Sequence, residues 1–223
     1  MNTKKPARVP KQERSKASLE RLLSAAEDLL AEKGYADFTL QELRKRSKVS
    51  VGSIYNLFSS KDELIHLITD RQLDSVGVEA VIVVNELRRK DLKLKKLVPE
   101  LVKEYGEFFR RNKNTLRPLM EIADVDIVVA KKGKQFFAQN IGDFERLLLD
   151  CRDEISQPDP ERAVRVGLRV VYASLARYLG FGTLDEVAGE GDWKELLSDL
   201  AEVMLYYLLG SPEMIRSCSK KAK

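Results

Sequence analysis

The sequence predicts an all-α protein, and three observations carry that prediction. Apolar residues recur at three- and four-residue spacing over most of the 223 positions, as in helices that bury one face. No apolar–polar alternation persists for more than a few residues, and 12 glycines and 7 prolines are too few for a turn-rich β protein. Helix starts are marked by residues that satisfy free backbone N–H groups. Thr39-Leu40-Gln41-Glu42 and Ser60-Lys61-Asp62-Glu63 fit the capping box, and Asp192-Trp193-Lys194-Glu195 repeats its spacing with Asp as cap. Asp159-Pro160 sets a cap before a proline, whose missing N–H costs nothing at a first helical position.

Taken in order, residues 1–14 carry Lys4, Lys5, Arg8, Lys11 and Arg14 with only Val9 as a bulky aliphatic. Such a segment cannot offset its ordering entropy by burial and is expected to form a flexible basic arm. Leu19, Leu22, Leu23, Ala26 and Leu30 then make one stripe of a helix from about Ser15 to Lys33, and Gly34 stands where a left-handed residue would end it. Two short helices are expected at Thr39 to about Arg46 and at Ser50 to Phe58. Long amphipathic stretches follow at roughly 61–88, 91–112, 115–130, 133–155, 160–179 and 193–209, about nine helices in all. Pro99 is expected to kink the second stretch or mark its true start. Short helices give way to long ones near residue 62, so the chain divides into an arm (1–14), a head (15–62) and a body (63–223).

Charge follows the same division. Residues 1–61 hold 13 Lys and Arg against 7 Asp and Glu, whereas the remainder holds 26 against 28. A basic segment joined to a near-neutral one suits nucleic-acid binding by the first part. The longest unbroken apolar run, Val203 to Leu209, is far short of the ~20 residues of a membrane helix. With no apolar stretch after the basic N-terminus, a cytoplasmic protein is expected, in which Cys151 and Cys218 stay reduced. His66 is the only histidine. No Cys/His metal cluster, nucleophile–base pair or Gly-rich phosphate loop is apparent, so neither an enzyme nor a metal or cofactor is expected.

The segment from Thr39 to Lys61 has helix-turn-helix character: two short helices around Ser47-Lys48-Val49, with Leu40, Leu43, Val49, Ile54 and Phe58 as an apolar seam against Leu22, Ala26 and Leu30. Such a unit lays its second helix in the major groove while the first crosses the backbone. Ser50, Ser53 and Asn56 suit base edges or phosphates, Tyr55 can reach a phosphate, and Gly52 lets the backbone approach closely. Thr39 and Lys61 stand at helix N-termini that favour phosphate, beside Arg44, Lys45 and Lys48.

The residues Thr39-Leu-Gln-Glu-Leu and Val49-Ser-Val-Gly-Ser-Ile-Tyr-Asn-Leu-Phe-Ser-Ser-Lys-Asp-Glu-Leu64, preceded by Ala25-Ala-Glu-Asp-Leu-Leu-Ala-Glu-Lys-Gly-Tyr, resemble the DNA-binding domain of TetR/AcrR-family bacterial transcriptional regulators over about residues 15–65. The resemblance implies that Ser50, Val51, Gly52, Ser53 and Asn56 face base edges and that Thr39, Ser53, Tyr55 and Lys61 meet phosphates. Two positions depart from the family pattern: Lys48 stands where the turn usually has Gly, and Leu57 where Tyr or His is common. A left-handed Lys48 would cost on the order of 1 kcal/mol.

The resemblance also implies a body that forms a homodimer and encloses a small-molecule pocket. Two stripes support dimerisation independently, with Val166, Val170 and Ser174 on one helix and Leu200, Met204 and Tyr207 on another. For the pocket, Tyr105, Phe109, Met120, Phe137, Asn140, Phe144 and Tyr172 fall on inward-looking faces. Aromatics with an occasional polar group suit a ligand cavity, and equally an ordinary helical core. The expected protein is a homodimeric repressor on a pseudo-palindromic double-stranded operator, released by an apolar or amphipathic effector. The alternatives are an activator, or an architectural DNA-binding protein without ligand control, against which the near-neutral body weighs.

Overall fold

The structure is a computed structural model that describes residues 11–181 and 189–210, and every regular element among these is helical. The α-helices are α1 (Lys11–Lys33), α2 (Leu40–Ser47), α3 (Val51–Leu57), α4 (Lys61–Arg89), α5 (Leu94–Arg111), α6 (Lys113–Ala123), α7 (Ile127–Leu149), α8 (Pro160–Leu179) and α9 (Trp193–Leu209), with a 3-10 turn at Arg152–Glu154. The chain forms two units that meet at Arg71 and Gln72, inside α4 and nine residues later than the boundary expected at 62. The expected arm is also shorter: α1 begins at Lys11, so residues 11–14 are helical. They lack an apolar stripe, but Lys, Gln, Glu and Arg favour a helix that is already nucleated downstream. Residues 1–10 of the arm, and Cys218, lie outside the described residues.

In the first unit, α1 packs on α2 and α2 on α3. Leu22, Ala26, Leu30, Leu43, Val49, Ile54 and Phe58 are all buried, as the apolar seam predicts, whereas its Leu40 is only half-buried. Gly34 takes φ 72°, and its N–H donates to the Leu30 carbonyl at 2.9 Å, closing α1. Exposed ion pairs brace the helices: Arg46 donates to Glu32 at 2.8 Å, Lys33 pairs with Glu42, and Arg71 lies 3.0 Å from Glu27. Each is worth little in water. Their consequence is directional, since they hold Lys33 and Arg46 against α1 and α2.

In the second unit, α5 is the central helix, packed on α9 and α8, while α6 and α8 pack on α7. Its buried face runs Leu94, Leu97, Val98, Leu101, Val102, Tyr105, Phe108 and Phe109. Pro99 is the sixth residue of α5 and exposed, so the helix starts before it. The start is fixed from a distance: Leu94 N–H donates to Glu154 Oε2 at 3.1 Å. Asp159 and Asp192 cap α8 and α9 as their spacing predicts, accepting from Arg162 N–H at 2.9 Å and from Lys194 N–H at 2.8 Å. The stretches expected at 115–130 and 133–155 are divided elsewhere. Asp126 caps α7 through the N–H groups of Val128 and Val129, and α7 ends at Leu149 ahead of the 3-10 turn.

Candidate nucleic-acid interface

The turn between α2 and α3 is Lys48, Val49 and Ser50. Lys48 has φ 57° and ψ 23°, the left-handed conformation that the family resemblance implies for this position, and its N–H donates to the Arg44 carbonyl at 3.0 Å. Val49 is buried beneath the turn. The Thr39 hydroxyl accepts from Glu42 N–H at 3.3 Å, but the Glu42 carboxylate is drawn to Lys33, so that capping box is only half made. The box at α4 closes one residue early. Ser60 Oγ accepts from Glu63 N–H at 3.1 Å, while Glu63 Oε2 accepts from the Ser59 N–H at 2.7 Å and hydroxyl at 2.6 Å. Those two bonds hold the Glu63 carboxyl below the usual carboxylate range.

α3 is fixed by a single buried side chain of its own, Ile54, and by Val49 and Phe58 at its ends. Every other position from Ser50 to Leu57 is exposed. Ser50 caps the helix: its Oγ accepts from Ser53 N–H at 3.1 Å and lies 2.8 Å from Ser53 Oγ. Tyr55 is 56% exposed, and a Cβ added at Gly52 would meet nothing within 4 Å. All five residues assigned to base edges therefore lie on one short, solvent-facing helix and its cap. Thr39, Arg44, Lys45, Lys48 and Tyr55 are exposed around it.

Lys61 differs from the other residues assigned to phosphate. Its Nζ donates to the Phe38 carbonyl at 3.1 Å and stands over the Tyr35 and Phe38 rings, 4.4 and 5.3 Å from their centroids. The ammonium is tied inward, and the N-terminus of α4 presents backbone N–H groups instead. Sequence reasoning missed this tether, which joins residues 23 positions apart. Leu57, the position that departs from the family's Tyr or His, is 37% exposed beside the residues assigned to base edges.

Of the effector-pocket residues, the structure brings five rings into one cluster. Tyr105 lies 4.8 Å from Phe109 and 4.7 Å from Phe144, and Tyr172 lies 4.4 Å from Phe137 and 5.4 Å from Phe109, by ring centroids. Phe181 joins them against Phe109. Burial pushes the Tyr105 and Tyr172 phenols up, so both stay neutral. Met120 packs at the core's edge, and Asn140 is turned back onto its own helix, donating to the Phe136 carbonyl at 2.8 Å. Phe136, Phe137 and Ile141 of α7 are only partly buried, and on α4 the buried Gln72 Oε1 has no hydrogen-bond partner among the described residues.

The dimer stripes divide between surface and core. Val166, Val170 and Tyr207 are 36%, 46% and 38% exposed, whereas Leu200 and Met204 are buried within their own chain. The helix face turned to solvent includes Val203 and Tyr206 instead. Together Val166, Val170, Val203 and Tyr207 rim an apolar concavity of about 180 Å³, with Leu200 and Met204 on its floor. Ser174 is spent on the Val170 carbonyl at 3.1 Å.

Comparison with known proteins points the same way as the helix-turn-helix geometry. Residues 22–68 match the family model described as bacterial regulatory proteins, tetR family. A 68-residue segment is 40% identical to an HTH-type transcriptional regulator of Mycobacterium bovis, covering 30% of each chain. A 58-residue segment is 36% identical to the HTH-type transcriptional regulator HbdR of an Aromatoleum species, covering 26% of this chain and 25% of that one. These matches thus span less than a third of the relatives' length. Over nearly the whole chain the fold resembles solved structures: a chain assigned to TetR-family transcriptional regulators from Syntrophomonas wolfei (TM-score 0.63, 18% identity, 90% of this chain and 97% of that one) and a TetR transcription regulator from Haloarcula marismortui (TM-score 0.60, 18% identity, 87% and 97%).

Proposed function

We propose, from the premise that the N-terminal unit of this chain belongs to the tetR family of bacterial regulatory proteins, that the protein is a homodimeric repressor released from its operator by a small molecule. The observation that carries the DNA-binding part is α3 itself. It exposes every residue but Ile54, an arrangement that suits a partner surface, and it is flanked by the exposed cations Arg44, Lys45 and Lys48. Dimerisation is supported by the exposed apolar face of α8 and α9, because monomers rarely leave Val166, Val170, Val203 and Tyr206 uncovered side by side. Two such faces related by a two-fold axis give a four-helix interface, which sets two recognition helices roughly 34–36 Å apart on successive major grooves.

The effector part is supported by the ring cluster and by the partly buried aromatics of α7. An amphipathic molecule seated between α4 and α7 that carries an N–H or O–H group could also supply the donor that the Gln72 acceptor lacks. α4 runs from the first unit into the second, so a ligand that shifts it couples the two. To release DNA the ligand must prefer the non-binding state by a few kcal/mol.

Footprinting on the chain's own upstream DNA, combined with light scattering, tests the reading. A protected palindrome, a dimer in solution, and loss of both in Val170→Arg are the expected results. An unprotected duplex or a monomeric wild-type chain overturns it. Thermal-shift screening of small molecules checks the effector, since a ligand at 100 times its Kd stabilises the native state by about 2.7 kcal/mol.

A further inference from the structure

We propose that α3 selects half-sites rich in A·T pairs, with Asn56 reading an adenine and Val51 packing on a thymine methyl group; this rests on the DNA-binding reading above. In the major groove guanine is read by Arg or Lys, cytosine by Glu or Asp, adenine by Asn or Gln, and the thymine methyl by an apolar side chain. From Ser50 to Leu57 the chain carries no Arg, Lys, Glu, Asp or Gln. The nearby cations Arg44, Lys45 and Lys48 belong to α2 and its cap, the element that crosses the phosphate backbone in this geometry.

The exposed groups of α3 narrow the choice further. At about 100° per residue, the line opposite buried Ile54 is occupied by Gly52 and Asn56. Gly52 presents no side chain and has open space where one would be, so Asn56 is the reading group on the line that enters the groove. Its amide offers a donor and an acceptor together, the pair that matches adenine N6 and N7. Tyr55 and Ser53 flank that line, and Val51 and Leu57 stand farther round on the shoulders of the helix, still exposed. Val51 lies in the N-terminal turn, the part of a recognition helix that meets base edges. A serine hydroxyl could serve any base, but Ser50 and Ser53 are held by each other and by the helix cap. No guanine or cytosine reader remains on this face.

Selection from a randomised duplex library with the full chain tests this. The expected product is a palindrome whose half-sites hold A·T pairs, at one of which Asn56→Ala lowers discrimination about 5- to 150-fold. Replacing the facing thymine by uracil, which removes only its methyl group, is expected to weaken the wild type about 3- to 5-fold and Val51→Ala distinctly less. Both positions are exposed, so the variants keep the fold. Enrichment of G·C pairs at the positions that respond to α3 variants, or an unchanged response to uracil, overturns the inference and leaves site-specific binding standing. A library that yields no preferred sequence overturns the DNA-binding reading itself.

Discussion

At the scale of single residues, the interface is defined as much by what is tied down as by what is free. Lys33 and Arg46 are cations of the first unit beyond those assigned to phosphate from the sequence, and Lys61 is one so assigned, yet Glu42, Glu32 and the Phe38 carbonyl hold the three. None of these pairings is readable from local sequence, because the first two join side chains 9 and 14 residues apart and the third spans 23. Lys48 is the opposite case, since the family resemblance, with Gly usual at this turn position, already implied its left-handed backbone. That conformation costs a non-glycine residue about 1–2 kcal/mol. Glycine would relieve it while losing about 0.5–1 kcal/mol more backbone entropy on folding. The difference favours glycine, so Lys48→Gly is expected to raise stability by roughly 0.5–1 kcal/mol, a gain of about 1–4 °C in Tm for a chain of this size. It should do so while weakening DNA binding, because a cation leaves the phosphate side. Calorimetry and a binding titration on one preparation check both signs, and a lower Tm would mean that the Lys48 side chain contributes contacts that outweigh its backbone strain.

At the scale of elements, starts announced by a capping side chain next to the helix were legible, as at Thr39, Ser60, Asp159 and Asp192. Two starts were not. Asp126 is hidden in Val125-Asp126-Ile127-Val128-Val129, where apolar periodicity continues across the break because Val125 and Ile127 are left exposed. Leu94 is preceded by Lys93, which makes no side-chain cap, and its N–H is satisfied by Glu154 from 60 residues away. Local patterning cannot see a cap supplied by tertiary structure. The reading helix was legible because its chemistry lies within eight consecutive residues, whereas the ring cluster draws on α5, α7 and α8, and sequence alone could name its members without showing them in contact. Packing between elements also gives one substitution opposite signs at two glycines. A Cβ at Gly106 of α5 would lie 2.4 Å from Leu197 Cδ2 and 3.2 Å from Trp193 Cζ2 of α9, both buried, whereas one at Gly52 meets nothing. Alanine favours a helix by up to about 1 kcal/mol at either site, but overpacking costs about 1–3 kcal/mol. Gly106→Ala is therefore expected to destabilise the chain by about 1–2 kcal/mol in urea, and Gly52→Ala to leave it level or more stable while impairing DNA binding. Equal stability changes in the two variants would show that α9 gives way at Leu197.

At the scale of the whole molecule, the division inside α4 sharpens the meaning of a net charge of +4. Up to Arg71 the chain has 14 basic and 10 acidic residues, and from Gln72 it has 25 of each, so the entire net charge lies in the first unit. The second unit is electrically balanced, as suits a body that carries apolar surface on α8 and α9 and would associate with a copy of itself. Binding driven by the first unit must then weaken with salt, by about 0.9 in the slope of log K against log salt for each phosphate neutralised. In the proposed dimer each interface residue counts twice. Lys48→Gln is accordingly expected to flatten the slope by about 2, since its exposed ammonium stands at the turn facing the backbone. Lys61→Gln is expected to leave the slope unchanged, because its ammonium is held on the Phe38 carbonyl between two rings, and to lower Tm instead. Fluorescence anisotropy over a salt series, using one operator duplex for all three chains, separates the two roles. A slope change for Lys61→Gln as large as that for Lys48→Gln would mean that its ammonium leaves the Phe38 carbonyl for a phosphate when DNA binds.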